Sequence, residues 1–323
     1  MRAWVLREHG HLRLEEGPPP QGEGLLLKVA AVGICGSDLS VYKGTPAMRA
    51  RWRPPLVLGH EVVGVVEEGP RELLGRGVAL YPALACGACD ACLEGRPHLC
   101  PGRRHLGFHL PGGLAEWIRV PAALAYPLPE ELPLWKGALA EPLAVALHAV
   151  RRARPRPGER ALVVGGGAMG AFAAWLLREE RIRVDLLEPK GERAERLKAL
   201  EVVENAALEA GELAGETYPL VVDTVGLEAT LAQTLAFLAP GGRAVVVGLS
   251  GLEAPLNLQD LVLREKMVLG SYLFTPEEFR EVLSLLPQLP EGLVRLWPAE
   301  RADEAFAALS EGGIPEPKLV LVW

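Results

Sequence analysis

The chain has 323 residues, about twice the size of an average single domain, so two domains that share an interface are expected. Hydrophobic residues make up 49% of the chain and charged residues 23%, which excludes an intrinsically disordered protein. The formal net charge of −7 lacks the basic surplus that a nucleic-acid partner requires.

The N-terminal sequence MRAWVLREHG carries charges where a secretory signal peptide needs an apolar core, so export is not expected. The longest uncharged stretch, residues 161–177, is short for a membrane span and contains four glycines. We therefore expect a cytoplasmic protein with no membrane partner. In that compartment its five cysteines are reduced and available as metal ligands.

The predicted elements change character along the chain. Short β-branched runs separated by glycine and proline fill the first third and predict an all-β, barrel-like unit. Residues 134–150 have helical apolar spacing, and strands then alternate with helices up to about residue 273, which predicts a doubly wound parallel sheet. Thr275 is a predicted helix N-cap, and the strand-like ending KLVLVW is expected to pack back on the first unit.

A glycine-rich turn lies between a predicted strand and a predicted helix. Gly165, Gly167 and Gly170 form G-x-G-x-x-G, which allows a tight turn, close approach of a pyrophosphate and close helix packing. Glu188 ends the next strand, where its carboxylate favours the ribose of NAD over the phosphate of NADP, although nearby Arg193 leaves NADP open. A turn that serves only packing is the alternative. The predicted cofactor contacts are Gly165, Gly166, Gly167, Ala168, Met169, Gly170, Glu188, Arg193, Val225 and Gly248.

Four cysteines stand close together in the sequence CGACDACLEGRPHLC. Cys86, Cys89, Cys92 and Cys100 have the spacing C-x2-C-x2-C-x7-C. Four thiolates can surround Zn²⁺ tetrahedrally and leave no position for a substrate, so this site is predicted to be structural. A redox pair or thiols without a function are the alternative.

A second set of possible ligands is spread along the chain. Cys35, His60, Glu61 and Glu141 each lie beside a glycine or a proline. Spacing alone cannot unite them, and each has a simpler account as a core cysteine, a turn histidine or a surface carboxylate. Together, a thiolate, an imidazole and a carboxylate would make an open catalytic zinc site.

Seven segments resemble, in the same order, the zinc-containing medium-chain alcohol dehydrogenases. They are GICGSDLSVYKG, PLVLGHEVVGVVEEG, the four-cysteine segment, LGFHLPGGLAEWIRVPA, EPLAVALHAV, VVGGGAMG and LAPGGRAVVVGL. The match covers about residues 25–320. Glu61 and the sequence EPL are more similar to the sorbitol, threonine and glucose dehydrogenase branches than to the ethanol-oxidising branch.

This resemblance implies an α/β protein with two domains and an active site in the cleft between them. Residues 1–143 and 274–323 would form a GroES-like catalytic domain, and residues 144–273 a Rossmann domain. The resemblance also implies Cys35, His60 and Glu61 at the catalytic zinc, with Glu141 at or near it. Because both carboxylates together would leave the site with excess negative charge, we expect only one to bind zinc strongly at a time.

The resemblance further implies that Ser37 takes the proton from the alcohol, although an ordinary turn serine has the same sequence signature. Ser40 stands where the family often places a histidine at the end of its proton relay. The relay then ends at the cofactor ribose and water, or at another base.

Other aromatic and histidine side chains have less specific roles. His148 is interpreted as a packing or capping residue, and His98 and His105 as solvated. The aromatic residues that would contribute to a substrate pocket, or else to the core, are Tyr42, Phe108 and Trp117.

These features predict a zinc- and NAD-dependent dehydrogenase of secondary alcohols, which include polyols, sugars and hydroxy amino acids. It would bind two zinc ions per chain and a small-molecule alcohol, and family analogy suggests a homodimer or homotetramer. One alternative is a zinc-free quinone or enone reductase of the same fold. Another is an inactive nucleotide-binding structural protein.

Overall fold

A computed structural model describes residues 1–251 and 253–323 of the chain. The strands are β1 (Arg2–Glu8), β2 (His11–Glu16), β3 (Leu25–Gly33), β4 (Glu61–Glu68), β5 (Gly77–Leu80), β6 (Ala83–Leu84), β7 (Arg104–His105), β8 (Trp117–Val120), β9 (Ala125–Pro127), β10 (Arg160–Val164), β11 (Arg183–Leu187), β12 (Asn205–Ala207), β13 (Tyr218–Asp223), β14 (Leu238–Val246), β15 (Met267–Gly270), β16 (Val294–Pro298) and β17 (Lys318–Val322). The α-helices are α1 (Gly36–Lys43), α2 (Pro46–Arg49), α3 (Asp90–Leu93), α4 (Ala140–Ala153), α5 (Ala168–Glu179), α6 (Gly191–Ala199), α7 (Glu228–Phe237), α8 (Leu258–Leu263), α9 (Pro276–Leu285) and α10 (Ala302–Glu311).

The first large sheet has the order β16-β17-β3-β4-β5-β9, and β8 also pairs with β3. Strands β3 and β4 are rich in valine and leucine, are buried over most of their length, and pair antiparallel. Strand β17 pairs antiparallel with β3, which places Val320 opposite Gly33. The end of the chain therefore returns to the first sheet, as predicted.

The second large sheet is parallel throughout and has the order β12-β11-β10-β13-β14-β15. Its central strands are continuous apolar runs, because helices pack against the sheet and little of these strands meets water. The strand order reverses between β10 and β13, which is where proteins of this architecture bind a dinucleotide. The predicted combination of a β-rich unit and a doubly wound sheet is confirmed.

Helix α4 contacts both sheets. It packs against β4 of the first sheet and against β13 and β14 of the second. The predicted helix over residues 134–150 is a 3₁₀ segment at Leu134–Leu139 followed by α4, which extends to Ala153. The exact domain limits, after residue 143 and before residue 274, remain a prediction.

The helix after residue 274 begins as predicted. The Thr275 hydroxyl accepts a hydrogen bond from the Glu278 amide at 3.3 Å, and Glu278 reaches back to the Thr275 amide. Among the described residues, none of the helices has the length and apolar character needed to cross a bilayer.

Candidate active site

Three predicted ligands converge where β3, α1 and β4 meet. Cys35 is the N-cap of α1, Glu61 is the first residue of β4, and His60 directly precedes it. One ligand atom from each of Cys35, His60 and Glu61 lies within 4.8 Å of the others. The pairing of Gly33 with Glu61 creates this proximity, and a Cβ atom on Gly33 would lie only 1.8 Å from Glu61 Oε2. A side chain at position 33 would therefore displace the Glu61 carboxylate.

Cys35, His60 and Glu61 are called the catalytic group, after their predicted role. Asp38 supports this group and was not singled out from the sequence. Its buried carboxylate accepts hydrogen bonds from the Cys35 amide at 3.1 Å and from the Gly59 amide at 3.2 Å. Asp38 Oδ1 also lies 3.4 Å from His60 Nδ1, which leaves His60 Nε2 for a metal. Burial lowers the pKa of His60, but Asp38 and Cys35 together outweigh burial and raise it well above its usual value.

Lys318, also missed from the sequence, joins the catalytic group from the C-terminal strand β17. Its buried ammonium group donates a hydrogen bond to the Ile34 carbonyl at 2.9 Å and forms an ion pair with Glu61. Burial lowers the pKa of Lys318, but the negative charges of Glu61, Cys35 and Glu141 together outweigh burial and raise the pKa. The sequence signal for Lys318 is a lone charge at the start of an apolar strand.

Glu141 lies beside the catalytic group in the first turn of α4. It is 4% exposed, and burial together with the negative charge of Glu61 raises its pKa to about 7. Its oxygen atoms lie outside the set within 4.8 Å that Cys35, His60 and Glu61 form. The structure therefore places Glu141 near the predicted zinc ligands but not among them.

The four-cysteine segment forms a compact thiol cluster at the surface. The sulfur atoms of Cys100 and Cys86 are 3.4 Å apart, those of Cys89 and Cys92 3.5 Å, and those of Cys86 and Cys92 3.9 Å. Amides of Ala88 and Cys89 lower the pKa of the Cys86 thiol to about 6. Four converging soft donors fit a tetrahedral zinc ion and leave no free position.

The glycine-rich turn has the geometry that the sequence predicted. Gly165 has a φ of +92°, and a Cβ atom on Gly170 would lie 1.8 Å from the Gly165 carbonyl oxygen. By contrast, a Cβ atom on Gly167, the N-cap of α5, would meet nothing within 4 Å. The turn is therefore closed on its packing side and open at the helix N-terminus, where a pyrophosphate can approach.

Comparison with known protein families decides which proteins this chain is related to. Residues 21–130 match the model for the alcohol dehydrogenase GroES-like domain, and residues 164–288 match the model for zinc-binding dehydrogenases. The chain belongs to the zinc-binding alcohol dehydrogenase family. This dehydrogenase is therefore a zinc-dependent oxidoreductase that uses NAD(P), and the predicted family is confirmed.

Named relatives and solved structures agree with this assignment. The dehydrogenase is 32% identical to an uncharacterized zinc-type alcohol dehydrogenase-like protein of Haemophilus influenzae, over 88% of this chain and 87% of that one. It is 34% identical to a sorbitol dehydrogenase of Arabidopsis thaliana, over 76% and 72% of the two chains. An Escherichia coli alcohol dehydrogenase solved with NADH superposes with a TM-score of 0.91 and 26% identity, over 100% of this chain and 99% of that one.

Glu188 lies buried at the end of β11, next to the glycine-rich turn of the dehydrogenase. Its Oε2 accepts a hydrogen bond from the Gly166 amide at 2.7 Å, and its Oε1 accepts one from the Lys190 amide at 2.9 Å. Arg193 lies 3.5 Å from the same carboxylate. Two backbone amides therefore fix Glu188 at the place where a dinucleotide ribose is expected.

Val225 and Gly248 lie together beyond the carboxyl ends of β13 and β14. A Cβ atom on Gly248 would lie 2.0 Å from the Val225 carbonyl carbon. The side chain of Val225 also approaches Gly165, since a Cβ atom added to Gly165 would be 2.5 Å from Val225 Cγ2. These two predicted contacts thus border the same crevice as the glycine-rich turn.

The serines that were considered for proton transfer lie on α1. Ser37 is half-buried in the first turn of the helix, two residues after Cys35. The Ser40 hydroxyl donates a hydrogen bond to the Gly36 carbonyl at 2.9 Å. Ser40 is therefore engaged within its own helix, whereas Ser37 adjoins the catalytic group.

Of the three aromatic residues considered for the pocket, only Phe108 is beside the catalytic group. Its ring lies 5.3 Å from the His60 ring and 5.3 Å from Trp52, which the sequence analysis missed. Tyr42 packs against Phe306 at 5.2 Å, and Trp117 contacts the ammonium group of Lys28. Phe108 thus packs against the ring of His60, and Trp52 stacks on Phe108.

The prediction that His98 and His105 are solvated was wrong. The two side chains are only 4% and 7% exposed. His98 lies 4.9 Å from the His148 ring, and His148 Nδ1 forms a hydrogen bond with Glu278 at 2.9 Å. His148 therefore has the packing role that the sequence suggested. Sequence spacing gave no sign that the segment after Cys100 folds back against His60 and buries His105.

Proposed function

We propose that this dehydrogenase oxidises the secondary hydroxyl group of polyol-like substrates to a ketone, with NAD as the hydride acceptor. The observation that carries the proposal is the convergence of half-buried Cys35 with buried His60 and Glu61, whose ligand atoms lie within 4.8 Å of one another. A thiolate, an imidazole and a carboxylate are the donor types of an open catalytic zinc site. The similarity to a sorbitol dehydrogenase supports the substrate class.

In this proposal Cys35, His60 and Glu61 hold a catalytic zinc ion, and the four cysteines hold a structural one. Zinc would supply a Lewis acid that lowers the pKa of the substrate hydroxyl. Asp38 orients the imidazole of His60, and Lys318 offsets the charge of Glu61. Glu141, whose pKa is raised by burial and by the nearby charge of Glu61, would be the alternative carboxylate ligand, and only one of the two would bind zinc strongly at a time.

Ser37 receives the hydroxyl proton of the substrate in this proposal. It lies in the first turn of α1, two residues after Cys35. The Ser40 hydroxyl already donates a hydrogen bond to the Gly36 carbonyl within its own helix. A bound cofactor ribose with water, or another base, would therefore accept the proton from Ser37.

The preference for NAD rests on Glu188. Nicotinamide supplies the carbon that accepts the hydride. The Glu188 carboxylate, fixed by the Gly166 and Lys190 amides, would accept hydrogen bonds from ribose hydroxyls and repel a ribose phosphate. Arg193, at 3.5 Å, offsets part of this charge and allows weaker use of NADP.

We also propose that residues 1–143 and 274–323 form the catalytic domain and residues 144–273 the cofactor domain, in a cytoplasmic enzyme. Strand β15 is an edge of the parallel sheet. Several large apolar side chains on and before this strand are exposed, and a second copy pairing there would cover them. They are Leu258, Val262, Leu263 and Met267. The expected assembly is a homodimer, or a homotetramer built from such dimers.

The test is an assay of NADH formation by the purified, zinc-loaded protein. The substrates are sorbitol, xylitol, threonine and isopropanol, each with NAD and with NADP, and zinc is measured by elemental analysis. We expect polyol oxidation with NAD and two zinc ions per chain. Full zinc content without turnover would favour an inactive nucleotide-binding protein. Reduction of enones or quinones by a protein without zinc would favour the zinc-free reductase.

A further inference from the structure

His105 is a buried histidine beside the catalytic group to which neither predicted zinc site assigns a role. Its ring lies 5.2 Å from the His60 ring, with an interplanar angle of 71°. Phe108 contacts both rings, at 5.3 Å from His60 and 5.5 Å from His105. His105 is therefore a polar side chain packed against the rings of His60 and Phe108.

The turn that carries His105 is firmly held. The His105 amide donates a hydrogen bond to His109 Nδ1 at 3.0 Å, and the His105 carbonyl accepts one from the Leu110 amide at 3.1 Å. Gly107 packs against the turn before His60, since a Cβ atom on Gly107 would lie 3.1 Å from the Gly59 nitrogen. The position of His105 relative to His60 is therefore fixed before a substrate binds.

Hydrogen bonding determines which nitrogen of His105 carries the proton. Nδ1 lies 3.0 Å from the Leu106 carbonyl oxygen. Because a carbonyl oxygen can only accept, Nδ1 donates, and Nε2 of the neutral ring is an acceptor. Among residues 1–251 and 253–323, no group forms a hydrogen bond with Nε2. Nε2 is also not one of the completely buried polar atoms that lack a partner, so it is open to a hydrogen-bond donor from outside.

We propose that His105 Nε2 accepts a hydrogen bond from a second hydroxyl group, on the carbon next to the one that is oxidised. This inference rests on the proposed function and names its substrate class as vicinal diols and polyols. The oxidised hydroxyl lies at Cys35, His60 and Glu61, and His105 packs directly against His60. An apolar wall would distinguish poorly between a polyol and a simple alcohol. An acceptor left without a partner penalises the substrate that lacks the second hydroxyl.

The test compares glycerol with isopropanol, which have the same three-carbon skeleton and a secondary hydroxyl on the middle carbon. Steady-state kinetics are measured for the zinc-loaded wild type, His105→Phe and His105→Gln. We expect His105→Phe to lower kcat/KM for glycerol by about tenfold, mainly through KM, because one hydrogen bond is lost. The value for isopropanol should change by less than about threefold. His105→Gln, which retains an acceptor, should preserve most of the preference for glycerol.

A matched control removes another buried imidazole that is not next to His60. His98→Phe should leave the ratio of the two kcat/KM values unchanged. If His105→Phe lowered kcat/KM equally for glycerol and isopropanol, His105 would have only a structural role, and the proposal would be overturned. A wild type that prefers isopropanol would overturn it as well.

Ligand-observed NMR titration separates this inference from the proposed function, because it measures binding without turnover. We expect the dissociation constant of glycerol, but not that of isopropanol, to rise in His105→Phe. If the wild type oxidised neither these two compounds nor sorbitol and xylitol, the proposed function would fail. The titration would then decide the role of His105 without turnover. An unchanged dissociation constant of glycerol in His105→Phe would overturn that role, and a raised dissociation constant would support it.

Discussion

The two groups of metal-ligating side chains in this dehydrogenase are built in opposite ways. The thiol cluster comes from one short, partly exposed segment, residues 86–100, and its sulfur atoms contact one another. The catalytic group comes from the junction between the end of β3 and the start of α1 and from the start of β4, and it is largely buried. It is also surrounded by charges that belong to distant parts of the chain, Lys318 above all.

This difference has a physical reason. Four thiolates around one zinc ion form a complete and closed coordination shell, so a local loop is sufficient. An open site must keep one position free and must bury unlike ligands, and each buried charge then needs a partner. Asp38 and Lys318 provide such partners for His60 and Glu61. The thiol cluster should therefore affect stability, and the catalytic group should affect both chemistry and stability.

The largest expected effect is loss of activity in Cys35→Ser. A serine hydroxyl is a poor substitute for the thiolate, so the catalytic zinc should be lost and kcat/KM should fall by about a thousandfold. Elemental analysis should find one zinc ion per chain instead of two, with circular dichroism unchanged. Ser40→Ala is the control on the same helix and should retain activity. A Cys35→Ser protein with two zinc ions and normal turnover would contradict the assignment.

Cys89→Ser tests the thiol cluster, which is expected to affect stability rather than chemistry. Loss of a zinc ion that helps to hold the fold should lower Tm by about 10 °C, as calorimetry can measure. Turnover per remaining zinc ion, assayed well below Tm, should stay within about threefold of the wild type. An unchanged Tm together with lost turnover would mean that this cluster takes part in the chemistry.

Lys318→Met should leave the Glu61 carboxylate buried without its counter-charge. We expect the free energy of unfolding to fall by about 3 kcal/mol in urea titrations. The decrease should be larger after zinc is removed with a chelator, because a bound zinc ion would balance part of the charge on Glu61. Lys318→Arg keeps the charge and should lose less stability. If Met and Arg at this position destabilised the protein equally, packing rather than charge would explain the effect.

The smallest expected effect concerns Glu188, which belongs neither to the thiol cluster nor to the catalytic group. Glu188→Ala should lower kcat/KM for NAD by about tenfold and increase the relative use of NADP, since the hydrogen bonds to the ribose and the repulsion of phosphate are both lost. Arg193→Ala should reduce the use of NADP instead. Unchanged Tm values would separate these effects from loosening of the Gly166 turn. If both variants kept the wild-type ratio of NAD to NADP, the role proposed for Glu188 would be wrong.

The amino-acid sequence alone identified the parts of this protein whose chemistry is local. The thiol cluster and the glycine-rich turn each lie within one short segment, and their spacing indicated the geometry that the structure has. The alternation of strands and helices likewise predicted the parallel sheet, because the period of apolar residues follows from backbone geometry. The resemblance to a family then suggested that Cys35, His60 and Glu61 belong together.

Only the tertiary structure revealed which side chains surround that group. Asp38 and His105 carry no local signal, and the lone charge of Lys318 at the start of an apolar strand is a weak one, since such aspartates and lysines are usually solvated. Their roles arise from pairings such as that of β17 with β3, which join residues hundreds of positions apart. A buried charge needs a partner close to it in space, and that partner can come from any part of the chain. Sequence spacing therefore does not show which residues form such pairs.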